Sequence, residues 1–138
     1  MIRGATVLFG GLRRMAWPWR LWVGLLAFLN LIAPLAFLHR PDAQWTLAAI
    51  AVAGICMIIL AQIQGFTRLL GLGHIWWVPL IWYLIDRGAL SDPGLNREWF
   101  VLWRDAVVAA NALSLVIDTV DVARFLTGHS RYPNGIRE

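Results

Sequence analysis

A chain of 138 residues, of which 59% are hydrophobic and only 14% are charged, is too apolar for a soluble domain of its size. Its net charge of +4 rests on twelve arginines and no lysine. The arginines stand singly at the ends of apolar stretches, which is typical of membrane orientation signals and excludes nucleic acid as the predicted partner. The single cysteine, Cys56, excludes an intrachain disulfide.

Residues 1–20 place four arginines among apolar and aromatic residues, a pattern typical of a short amphipathic helix at the membrane interface. A cleavable signal peptide is the alternative. The apolar run over residues 21–38 is longer than a usual signal core, however, and no A-x-A cleavage site follows it. We therefore predict a retained first span over about residues 20–38, with Pro18 in its first turn and Pro34 bending its second half.

Three further apolar stretches predict spans over about residues 45–66, 70–87 and 99–126. Gly65, Gly71 and Gly73 predict a tight turn between the second and third spans. Turn signals also stand at residues 92–94 before the fourth span and at residues 133–135 in the tail. The sequence thus predicts an all-α fold, namely an integral membrane four-helix bundle with a short N-terminal interfacial segment, forming a single transmembrane domain over residues 1–138.

Four spans place both ends of the chain on one side of the membrane. If that side is the cytoplasm, eight arginines lie inside and four lie outside, as the positive-inside rule requires. We therefore predict a multi-pass protein of the inner membrane with both termini in the cytoplasm. Tryptophans near the span ends predict two interfacial belts, with Trp77 in the inner belt and Trp103 in the outer belt.

The fourth span carries polar side chains in a stretch that is otherwise apolar. At about 100° per residue they fall within an arc of roughly 100° on one helix face. They are Arg104, Asn111, Ser114, Asp118 and Asp121. An aspartate or arginine at the centre of a membrane helix costs roughly 2.5 to 3.5 kcal/mol, so such residues need partners.

Depth along the spans predicts which residues can meet. Counted at about 1.5 Å per residue from the outer interface, Asp118 lies about 22 Å deep, Asp121 about 27 Å and Gln62 of the second span about 26 Å. Arg68 and His74 lie at the inner end of the second span. These five residues therefore form the predicted binding site, a polar cluster on the cytoplasmic side.

Asn30 and Asn111 both fall near the predicted midplane of the membrane. A hydrogen bond between their spans would contribute about 0.6 to 2 kcal/mol in lipid. We predict that the two asparagines form a helix-packing pair between the first and fourth spans.

Two interpretations of the polar cluster are open. In the structural one, Arg68 or Arg124 neutralises the aspartates, and His74 and Gln62 complete the hydrogen bonds, so the cluster fixes helix register. In the functional one, Asp118 faces a polar pocket and exchanges a proton or holds a cation. The histidine spacing of helical metal sites is missing, and no serine has a histidine at its depth. We therefore predict no metal, no cofactor and no catalytic residue.

These observations favour an accessory, assembly or interaction subunit of a larger membrane complex. The alternative is a small proton- or cation-coupled transporter that works as a homo-oligomer, with Asp118 as its coupling carboxylate. A membrane enzyme that modifies lipids is the third hypothesis, although the sequence nominates no nucleophile for it. The predicted partners are the lipid bilayer and either further copies of the chain or a larger membrane complex.

Overall fold

The computed structural model describes residues 2–88 and 97–128. Across these residues the chain forms helices and no strand. An N-terminal helix (Ile2–Arg14) precedes four helices that are long and apolar enough to cross a membrane. They are span 1 (Trp17–Phe37), span 2 (Pro41–Gln64), span 3 (Arg68–Arg87) and span 4 (Glu98–Leu126). The predicted all-α membrane bundle is therefore confirmed, while the turn signals at 92–94 and 133–135 lie outside the described residues.

The N-terminal helix packs against the last turns of span 2 through a face of small residues. Gly4, Leu8 and Gly11 are buried on this face. A Cβ atom at Gly4 would lie 2.3 Å from the carbonyl oxygen of Ile58, and one at Gly11 would lie 2.1 Å from the ring of Phe66. Since neither contact is tolerable, glycine is what lets this helix approach span 2 so closely.

Span 1 changes helix type along its length. It is α-helical from Trp17 to Ala27, widens to a π-helix over Phe28–Ile32 and tightens to a 3-10 helix over Ala33–Phe37. Pro34 has no backbone N–H, so the α-helical hydrogen bond to the carbonyl of the residue four before it cannot form. A bend was predicted at Pro34. The structure shows a change of helix type around this buried proline.

Span 2 ends at Gly65, whose φ of 75° lies in the left-handed region that favours glycine. Of the three glycines predicted to form the turn, only Gly65 lies between the spans. Gly71 and Gly73 lie inside span 3, which already begins at Arg68, so their predicted place in the turn is wrong. Its first part, Arg68–Trp76, is a 3-10 helix, and an α-helix follows over Trp77–Gly88. Pro79 falls in the first turn of that α-helix, where its missing N–H leaves no bond unmade.

The main apolar core lies between spans 3 and 4, with Leu26 of span 1 and Ala43 of span 2 at its edge. Trp77 and Trp103 belong to it, since they are only 1% and 5% exposed. The predicted belt positions of these two tryptophans are therefore wrong. Position along a helix fixes the depth of a side chain but not the face on which it stands. The indole of Trp103 instead donates a hydrogen bond to the carbonyl oxygen of Leu29 at 2.9 Å.

Candidate functional site

Asn30 and Asn111 form a closed amide pair between spans 1 and 4, and both are fully buried. The side-chain nitrogen of Asn30 donates to Asn111 Oδ1 at 2.9 Å, and that of Asn111 donates to Asn30 Oδ1 at 2.8 Å. The Asn30 nitrogen also donates to the carbonyl oxygen of Leu26 at 3.0 Å. Both donors of the Asn30 amide are thus used inside the bundle.

The two aspartates of span 4 pair with two residues of span 3. Arg68 Nη1 donates to Asp121 Oδ1 in an ion pair whose side chains are 5% and 16% exposed. His74 Nδ1 lies 2.7 Å from Asp118 Oδ2, and these side chains are 16% and 17% exposed. An ionised carboxylate can only accept, so the imidazole then donates from Nδ1. Both carboxylates therefore have a polar partner in the same chain.

The 3-10 conformation of Arg68–Trp76 places both partners on the same face of span 3. With about 3.0 residues per turn, Arg68, Gly71 and His74 stand in one row along the helix. In an α-helix, Arg68 and His74 would point about 120° apart. Asp118 and Asp121, three residues apart on span 4, share the facing side. The unusual helix type is what allows an ion pair and a second hydrogen bond between the same two spans.

Gly71 lies in the middle of this row, directly against span 4. A Cβ atom there would lie 2.8 Å from Cβ and 3.0 Å from Oδ1 of Asp118. The ring of His74 also stacks on that of Trp77, with centroids 4.1 Å apart and planes 13° apart. A small residue and a stacked ring thus fix both sides of the His74–Asp118 contact.

Gln62 shares the depth of the cluster but stands on another face of span 2. Its Cβ atom would lie 2.9 Å from a Cβ atom at Gly4, so it faces the N-terminal helix, and its side chain is exposed. The structure therefore brings together four of the five predicted residues, Arg68, His74, Asp118 and Asp121. Depth alone could not show that Gln62 points elsewhere.

A cavity of about 600 Å³ adjoins these four residues, and its walls are mainly apolar, unlike the polar pocket of the functional interpretation. Its other walls come from the N-terminal helix, from the first half of span 1, from Ile50 and Met57 of span 2 and from further residues of spans 3 and 4. The Phe28–Phe37 half of span 1 packs on span 2, whereas the Trp17–Ala27 half stays largely apart from it. No sequence pattern signals such a gap, because it depends on the course of the whole of span 1.

The chemistry open to this site is that of a half-buried acid–base pair beside a mainly apolar cavity. An imidazole hydrogen-bonded to a carboxylate can pass a proton or hold a polar group. Among the described residues, no three histidine, cysteine, aspartate or glutamate side chains lie close enough together to hold a metal ion. The arrangement also provides a strong link between two helices.

Comparison with known proteins adds no relative: no family model, no curated protein and no solved structure matches the chain. Fold and site therefore define a class. The chain is a small multi-pass membrane protein, with a polar cluster buried between spans 3 and 4 and an apolar cavity next to it.

Proposed function

We propose that the chain is an accessory, assembly or interaction subunit of a larger membrane complex, and that its polar cluster fixes the register of spans 3 and 4. The observation that supports this most is the pairing of both deep carboxylates of span 4 with Arg68 and His74 of the same chain. Placing a carboxylate in the membrane costs free energy, and the ion pair and hydrogen bond within the chain offset this cost. Carboxylates paired in this way serve helix packing.

The same proposal places the protein in the inner membrane with both termini in the cytoplasm. The excess of arginines on the side of the termini, eight against four, supports this orientation. The outer faces of the spans are broadly apolar; Ile63, Leu102 and Val116 are each more than 60% exposed. Such faces suit lipid and the helices of partner proteins alike, so further copies of the chain or other subunits can pack there.

A proton- or cation-coupled transporter that works as a homo-oligomer is the second candidate. The observation that favours it is the position of the His74–Asp118 pair at the wall of a cavity large enough for a small molecule. In that case Asp118 would be the coupling carboxylate, and His74 would take or return its proton.

Asp118→Asn separates the two candidates, with Asp105→Asn as the matched control, because Asp105 is on the same span but its side chain is 63% exposed. For a subunit of a complex, the unchanged chain co-purifies from native membranes with a distinct membrane protein in fixed stoichiometry. Asp118→Asn then lowers the recovery of that complex, while Asp105→Asn leaves it unchanged.

The opposite outcome would favour the transporter. If Asp118→Asn assembles like the unchanged chain but abolishes proton-coupled flux in proteoliposomes, the accessory role is wrong. Purification of the unchanged chain as a homo-oligomer alone, without any stoichiometric partner, would argue in the same direction.

A further inference from the structure

We propose that the cavity binds one anionic phospholipid, with an acyl chain inside it and the phosphate held at its mouth by Arg14 and Arg124. The cavity volume of about 600 Å³ falls within the range of about 300 to 1,000 Å³ that ligand pockets occupy. This inference goes beyond the proposed function, because a bound lipid is compatible with either candidate role.

The walls of the cavity suit a hydrocarbon chain. Leu8 and Leu12 line it from the N-terminal helix, Trp22 and Val23 from span 1, and Ile117 from span 4. Apolar and aromatic walls of this kind gain free energy when they bury an apolar chain. The first half of span 1 and the N-terminal helix therefore enclose a space that a lipid tail fills better than water does.

The mouth of the cavity is positively charged. Arg14 ends the N-terminal helix and Arg124 lies in the last turn of span 4, so both stand on the side of the bundle where span 1 begins. Both line the cavity, both are exposed, and neither forms an ion pair with another described residue. Basic pockets between membrane helices near the cytoplasmic surface bind anionic lipid headgroups.

The remaining charges of the cavity do not compete for the headgroup. Asp121 is paired with Arg68, and Asp118 is hydrogen-bonded to His74. Three arginines against two aspartates leave the lining with one excess positive charge when His74 is neutral. A single phosphodiester anion complements this charge, whereas a zwitterionic headgroup brings its own cation to the two arginines.

Native mass spectrometry of the full chain in a neutral detergent tests the proposal. The probes are dioleoylphosphatidylglycerol, which is anionic, and dioleoylphosphatidylcholine, which has the same chains and a zwitterionic headgroup. We expect one phosphatidylglycerol to remain bound per chain, with an affinity at least about tenfold above that of phosphatidylcholine.

Paired variants locate the bound lipid. Arg14→Gln with Arg124→Gln should lower the affinity for phosphatidylglycerol by about tenfold or more, and lysine at both positions should restore it. The control is Arg3→Gln with Arg13→Gln, which removes the same charge from exposed positions that do not line the cavity. Val23→Trp should fill the cavity and abolish retention, whereas Val52→Trp on an exposed face of span 2 should not.

Equal retention of the two lipids would overturn the proposal, because the headgroup charge would then play no part. An equal loss of affinity in the two arginine pairs would also overturn it, since the effect would come from overall charge. Circular dichroism and size-exclusion chromatography of each variant separate a loss of binding from a loss of folding.

Discussion

Three polar side chains of span 4 contact polar side chains of other spans. The pairs are Asn111 with Asn30, Asp118 with His74 and Asp121 with Arg68. In lipid no water is available to replace a missing partner, so a polar atom must find one in the protein. Polar residues of opposite spans at equal depth are therefore the informative feature of this sequence.

The asparagine pair gives the first prediction at this scale. Asn30→Ala or Asn111→Ala alone should lower the free energy of unfolding, because each leaves a buried amide without its partner. The double variant should cost less than the sum of the two single variants, with a coupling energy of about 0.6 to 2 kcal/mol. Reversible unfolding in mixed micelles measures all three values, and strictly additive losses would show that the amides act independently.

Depth counting can assign a residue a level along its span but not the face on which it lies. For Arg68, Asp118 and Asp121, equal depth was enough to predict that they lie together, because their side chains are long or face each other. Gln62 and Trp77 show what was missed, since the first faces the N-terminal helix and the second is in the core. The face depends on helix type and on neighbouring helices, which a count of residues does not contain.

Among the elements, the 3-10 helix Arg68–Trp76 is the one on which the cluster depends. Its period of about three residues aligns Arg68, Gly71 and His74 toward span 4. The three-residue spacing of these positions is visible in the sequence. The glycines of the segment, however, led to the prediction of a turn. A 3-10 helix of nine residues is unusual and persists here because both of its polar side chains are held by span 4.

Gly71→Ala tests the close approach of this element to span 4. The added methyl group would lie 2.8 Å from Asp118 Cβ, so span 3 must shift and the His74–Asp118 bond must lengthen. We expect a loss of about 1 to 3 kcal/mol in the free energy of unfolding.

Gly24→Ala in span 1 is the matched control. No atom lies within 4 Å of the added Cβ, so the change should be neutral or stabilise the helix by up to about 1 kcal/mol. If both variants unfold like the unchanged chain, spans 3 and 4 do not pack as closely as the structure shows.

At the scale of the whole molecule, hydropathy predicted the four spans, and the described residues show them. The sequence suggested a polar pocket at Asp118 as one interpretation, but it could not predict an apolar cavity against span 1, because that cavity depends on how the two halves of span 1 differ. The π and 3-10 turns around Pro34 pack span 1 on span 2, while the Trp17–Ala27 half stands away. The sequence predicts that the helix is irregular at Pro34. The path of the helix on either side of it depends on contacts with other spans.

An ion pair within the chain, between Arg68 and Asp121, joins spans 3 and 4 in addition to their apolar core. Arg68→Met and Asp121→Leu test it directly, singly and together, through the free energy of unfolding in mixed micelles. Each single change removes one partner of the Arg68–Asp121 ion pair and should cost about 3 to 5 kcal/mol, whereas the double variant should recover most of that loss. If the double variant lowers the free energy of unfolding by as much as the two single variants combined, the ion pair does not join the spans.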